Sequence, residues 1–90
     1  MSNKVFIFTL NGCGHCKELK KGLNEQNIDY IELEIGKNQE IWDQVVKQTG
    51  HNVLPTVFIS LAGGEDGPVF VPGRDYVEKE DVIEKIKEYL

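Results

Sequence analysis

The sequence predicts an α/β domain, a four-stranded mixed sheet with three helices in the order β-α-β-α-β-β-α. Three observations predict it. Strand-length runs of apolar, β-branched and aromatic residues alternate with segments whose apolar residues recur every three to four positions. The first two runs are separated by a helical segment, which makes them parallel through a right-handed crossover. The last two are separated only by AGGEDG, residues 62–67, a turn by composition, which makes them antiparallel. Ninety residues, 40% of them hydrophobic, suffice for one small core, so residues 1–90 read as a single domain.

The elements follow in order. KVFIFTL (Lys4 to Leu10) is almost continuously apolar and suits a strand buried on both faces. Asn11 and Gly12 break it. From Cys13 or Gly14 to about Asn27, Cys16, Leu19 and Leu23 share one helical face, with Lys17, Lys20 and Lys21 largely outside it. In IDYIELEI (Ile28 to Ile35), Tyr30, Glu32 and Glu34 alternate with Ile31, Leu33 and Ile35, the pattern of a strand with one wet face. Asn38 can cap a helix running to about Thr49, with Ile41, Trp42, Val45 and Val46 as its stripe and Gly50 as its stop. Thr56 to Leu61 is a third strand and Pro68 to Val71 a short fourth. Val82, Ile83, Ile86 and Leu90 mark a last helix that starts between Asp75 and Lys79. No repeat, linker or low-complexity segment interrupts the series.

Composition narrows the function. The net charge is −5, which argues against non-specific binding to nucleic acid or to an anionic membrane. No apolar run approaches the roughly 20 residues that span a bilayer. MSNKVFIFTLNG lacks a small-residue cleavage site and reads as a strand rather than a leader. Two cysteines are too few for a disulfide-stapled secreted scaffold. The expected compartment is therefore a reducing cytoplasm, where a transient catalytic disulfide is allowed.

Both cysteines lie in TLNGCGHCKELKKGL (Thr9 to Leu23). Three readings compete: two small buried hydrophobes, half of a metal site, or a redox pair. Cys13 falls where the first strand hands over to the first helix. A helix N-terminus carries partial positive charge and free N–H groups, which favour a thiolate. Lys17 and a protonated His15 would add to this. Cys16, three residues on, can resolve a mixed disulfide, and Gly14 leaves the approach open. His15 is poorly placed to join both thiols on a metal, and the chain has no second C-x-x-C and no H-x-x-x-H, so no metal is expected. A lone C-x-x-C is a moderate signal; between a strand and a helix it becomes a strong one for dithiol redox chemistry.

The chain resembles the glutaredoxin family of the thioredoxin-like fold over essentially its whole length. CGHC after an apolar strand, TGHNVLPTVFI (Thr49 to Ile59) and VPGRD (Val71 to Asp75) carry the resemblance. Beginning directly on a strand, without an extra strand and helix before it, also resembles glutaredoxin more than thioredoxin. The resemblance implies that Cys13 is the nucleophile, that Cys16 resolves, and that the Leu54–Pro55 bond is cis. It implies glutathione as co-substrate, held by Gly14, His15, the Leu54 backbone and Pro55, with Gly73, Arg74 and Asp75 at its γ-glutamyl end. Disulfide-containing client proteins, ribonucleotide reductase among them, and a monomeric state are implied in the same way.

The sequence also departs from the family. Gly-His replaces the usual Pro-Tyr between the cysteines; it is the pair of protein disulfide isomerase domains, and it points to a potential within roughly −230 to −180 mV. Pro72-Gly73-Arg74-Asp75 has one glycine where the family has two and a shorter spacing to the aspartate. Asn52 and Asn11 stand where basic residues are common, leaving Lys17, Lys47 and Arg74 as substitutes. The expected activity is glutathione-dependent reduction of protein disulfides and glutathione mixed disulfides. The alternatives are a thioredoxin-like reductant or oxidant not coupled to glutathione, and an iron–sulfur or other metal-handling module.

Overall fold

The computed structural model describes residues 3–90; Met1 and Ser2, which open the N-terminal segment read above as no leader, lie outside them. The elements are β1 (Lys4–Thr9), α1 (Gly14–Glu25), β2 (Ile31–Glu34), α2 (Gln39–Thr49), β3 (Thr56–Ser60), β4 (Asp66–Phe70) and α3 (Lys79–Lys87). The sheet order is β2-β1-β3-β4. β1 pairs parallel with β2 and antiparallel with β3, and β3 pairs antiparallel with β4. The expected order and pairing hold throughout.

β1 is central, which is why it reads as continuously apolar. Val5 and Ile7 join Leu19, Leu23, Val82, Ile83 and Ile86 in the main core, so α1 and α3 cover that face together. Gly22 lets the two helices approach: a Cβ there would lie 2.9 Å from the Ile83 Cδ1. On the opposite face Phe8 meets Trp42 of α2 at 5.3 Å between centroids, and Phe6 stacks on Phe58 at 5.9 Å.

α1 ends two residues before the expected Asn27. Asn27 takes a left-handed conformation (φ 56°), which asparagine tolerates better than most residues, and the Ile28 N–H closes on the Leu23 carbonyl at 2.9 Å. α2 keeps its expected bounds but not its stripe. Only Trp42 is buried, and Ile41 is 47% exposed, because α2 stands alone on its face with no second helix beside it. Asn38 occupies the N-cap position, yet its side chain donates to the Glu34 carbonyl at 2.9 Å instead of capping.

β2 departs from its predicted wet and dry faces. It is an edge strand, and Ile31, expected inside, is 42% exposed. Tyr30, expected outside, packs against the main core. β4 begins at Asp66, two residues before Pro68. Gly67 permits this, since a Cβ there would collide with the Ile59 carbonyl oxygen beside the register shift between Phe58 and Ser60. α3 starts at Lys79, the late end of the expected range; the Asp81 side chain accepts from the Glu78 N–H at 3.2 Å. Leu90 lies beyond the helix and is 62% exposed.

Candidate active site

β1 ends at Thr9, and a turn closed by Cys13 N–H on the Leu10 carbonyl (3.0 Å) delivers the chain to α1. Gly12 has φ +88° there, a conformation side chains rarely adopt. Cys13 is the N-cap residue of α1, in extended conformation. It is disulfide-bonded to Cys16, with the two Cα atoms 5.3 Å apart. The Cys16 N–H donates to Cys13 Sγ at 3.2 Å, so one of the free N–H groups at the helix start points at that sulfur.

The two sulfurs are not equivalent. Cys16 is 1% exposed, whereas Cys13 is half-buried. A partner arriving from solvent meets Cys13, and a Cβ added at Gly14 would touch nothing within 4 Å. His15, between the two cysteines, and Lys17, directly after them, are both exposed.

The remaining expected residues fall into three hollows. Gly14 and Lys17 border one with both cysteines and Asn11. His15, Leu54 and Pro55 line a second, a groove of about 490 Å³. Gly73, Arg74 and Asp75 border a third, which shares Tyr76 and Val77 with the groove.

The Leu54–Pro55 peptide bond is cis. Thr56 Oγ1 donates to the Val53 carbonyl at 2.7 Å, and the Tyr76 hydroxyl donates to the Pro55 carbonyl. Leu54 between them makes no main-chain hydrogen bond among the described residues.

The 71–76 turn is closed largely on itself. Gly73 has φ +84°, and its N–H donates to the Tyr76 carbonyl at 2.8 Å. Asp75 Oδ2 accepts from the Val71 N–H at 2.7 Å and from Arg74 Nε at 2.9 Å. Arg74 also reaches the Val69 carbonyl at 3.1 Å. Burial pushes the Asp75 carboxyl up, but the Arg74 guanidinium and the Val71 N–H outweigh it and hold the group below its ordinary range.

Two features escaped the sequence reading. Tyr76 is buried and links the proline loop to the segment before α3; burial pushes its phenol up. Its only signal was an aromatic directly after the Gly-Arg-Asp turn. The second is Glu32, which accepts from Thr9 Oγ1 at 2.7 Å and Lys20 Nζ at 2.9 Å, beside the hollow that both cysteines border. The Lys20 ammonium first, then the Thr9 hydroxyl, lowers the carboxyl below its usual value. Among the described residues no three His, Cys, Asp or Glu side chains are grouped to hold a metal ion, and no helix is long and apolar enough to cross a membrane.

Comparison with known proteins gives this geometry its family. The model of the glutaredoxin family matches residues 5–62. This chain belongs to the glutaredoxin family. It is 30% identical over 89 residues to "Glutaredoxin 1" of Rickettsia felis, covering 93% of this chain and 80% of that one. The buckwheat glutaredoxin–glutathione complex superposes with a TM-score of 0.61 at 24% identity, over 96% of this chain and 70% of the other. A thioredoxin of Nicotiana alata, NaTrxh, superposes with a TM-score of 0.66 at 19% identity, over 98% and 73%. These structural likenesses establish the thioredoxin-like fold. Glutaredoxin membership and that fold together make the chain a thiol–disulfide oxidoreductase, with the Cys13–Cys16 disulfide fitting the family's C-x-x-C.

Proposed function

We propose that this glutaredoxin is coupled to glutathione and reduces protein disulfides and glutathione mixed disulfides. The observation that carries the reading is the unequal pair of sulfurs, Cys13 accessible at the N-cap of α1 and Cys16 buried behind it. The Cys13 thiolate attacks a disulfide sulfur. The old S–S bond breaks, one partner sulfur joins Cys13, and the other leaves as a thiolate that takes a proton. Cys16 then loses its proton and attacks Cys13 Sγ, closing the internal disulfide and freeing the second partner thiol. A glutathione can release the partner instead. Two glutathione molecules reopen the Cys13–Cys16 bond and depart as glutathione disulfide, which balances both electrons.

The free Leu54 main chain suits antiparallel pairing with the cysteine of a bound glutathione. His15, Gly14 and Pro55 would flank it, and Gly73, Arg74 and Asp75 would take the γ-glutamyl end. The buckwheat relative was crystallised with glutathione, which supports the same choice of co-substrate. In this reading His15 and Lys17 favour the thiolate, residues 1–90 act as one monomeric cytoplasmic domain without a metal, and a ribonucleotide reductase is one possible client by family analogy.

One observation favours a second reading. Arg74 and Asp75 bind each other and their own turn, so part of their hydrogen-bonding capacity is already used. A dithiol reductant fed by thioredoxin reductase would not need them. The experiment is NADPH-coupled reduction of a glutathionylated peptide with glutathione and glutathione reductase, beside the same assay with thioredoxin reductase. Turnover in the first supports glutathione coupling; turnover only in the second overturns it.

A further inference from the structure

We infer that the groove beside the redox centre takes an extended client segment carrying lysine or arginine within a few residues of its disulfide cysteine. The inference rests on oxidoreductase chemistry with Cys13 as nucleophile, and is independent of glutathione coupling. Leu54 and Pro55 form one side of the groove, and the start of α3 forms the other. Three carboxylates border it: Glu18 from α1, and Glu78 and Glu80 at the start of α3. Among the described residues Lys79 is the one lysine on its border, and it is already paired with Glu18 Oε2 at 3.3 Å. Glu78 and Glu80 make no ion pair among the described residues.

His15 is the other ionisable group on the border; three carboxylates against one ammonium leave the groove net negative even with a cationic imidazole counted, and a negative cleft with low-dielectric walls concentrates cations. The remaining features suit a peptide better than a free cation. The Leu54 main chain has an N–H and a carbonyl free for an added strand. Val77, on the rim, is 81% exposed and offers an apolar surface for the methylene stem of a lysine or arginine, leaving its charged end toward the carboxylates. An acidic segment in the same position would set like charges together, which discriminates against it. The next hollow along α1 is balanced instead: Lys17, Lys20 and Lys21 share its border with Glu18, Glu25 and Glu32.

The test uses the full chain, reduced and freed of reductant, in single turnover. Two peptides carry one cysteine each, capped with thionitrobenzoate, and differ only in having lysines or glutamates on both sides of it. Attack by Cys13 joins it to the peptide sulfur and releases the coloured thiolate. Each rate is normalised to the rate of the same peptide with dithiothreitol. The lysine peptide is expected to react about fivefold faster at low salt, a factor suited to a few exposed charge pairs. The preference should fall below about twofold at 1 M salt, where the screening length is about 3 Å. The double variant Glu78→Gln/Glu80→Gln should lose most of it at low salt. Equal rates in the wild type, or a preference unchanged in the double variant, overturn the docking inference and leave glutathione coupling standing. Failure to attack either peptide overturns it together with the assignment of Cys13.

Discussion

The Tyr76 hydroxyl donates a hydrogen bond to the Pro55 carbonyl, tying the cis-proline loop to the segment that leads into α3. Both residues are buried, so removing the phenol takes away the carbonyl's donor at a site largely shielded from solvent. Tyr76→Phe should therefore cost about 1–2 kcal/mol, read as a lower midpoint in urea. Both residues line the groove, so KM for glutathionylated peptide should rise as well.

Tyr76 also sets an alkaline limit. Burial raises its pKa in the folded state, so the phenol's contribution is complete below the unfolded value near 10. It is lost as pH rises from there through the folded value, because the unfolded chain gives up its proton first. Stability should fall above about pH 10 more steeply in the wild type than in Tyr76→Phe. Equal slopes in thermal melts would contradict this.

Asp75 sets an acid counterpart. Its folded-state pKa is lowered: burial opposes the shift, while Arg74 and the Val71 N–H more than offset it. Its contribution is present above the unfolded value near 3.9 and is lost as pH falls through the lower folded value. Asp75→Asn should cost about 1 kcal/mol at pH 7, discounted for partial exposure. The gap between variant and wild type should close on acidification below about pH 4.

Two glycines with similar surroundings should behave differently. At Gly67 a Cβ meets the Ile59 backbone, which cannot move without disturbing the sheet; at Gly22 it meets the tip of the Ile83 side chain, which can. Gly67→Ala should cost about 2–3 kcal/mol. Gly22→Ala should be close to neutral, since the gain in helix propensity of about 1 kcal/mol offsets the local crowding. Urea unfolding of both variants checks the contrast.

These predictions depend on contacts the sequence showed only in part. β1, α1 and α3 were legible because Val5, Ile7, Leu19, Leu23, Val82, Ile83 and Ile86 are buried with the expected period, Leu90 alone of the last stripe falling outside, and the cis bond at Pro55 was legible from the resemblance of TGHNVLPTVFI. The inner and outer faces of β2 were not legible, because at the edge of the sheet Ile31 is left exposed while Tyr30 reaches the core. The start of β4 was hidden because Asp66 and Gly67 look like turn residues. Gly67 is needed for close backbone approach, which composition does not register. Arg74 and Asp75 were recognisable as a turn, but their binding to each other depends on rotamers and on Val71 and Val69, which no pattern encodes. Tyr76 had no periodic signal because its partner is a carbonyl 21 residues away.

The central claim is that Cys13, half-buried at the start of α1, is the sulfur that attacks and bonds partners, while Cys16 is buried and resolves. The most direct measurement is peptide mass mapping of Cys13→Ser and Cys16→Ser after each is mixed with glutathione disulfide. The account predicts one glutathione on Cys13 in the Cys16→Ser protein and little or none on Cys16 in the Cys13→Ser protein. Glutathione on Cys16 at a comparable rate, or on neither cysteine, would contradict it.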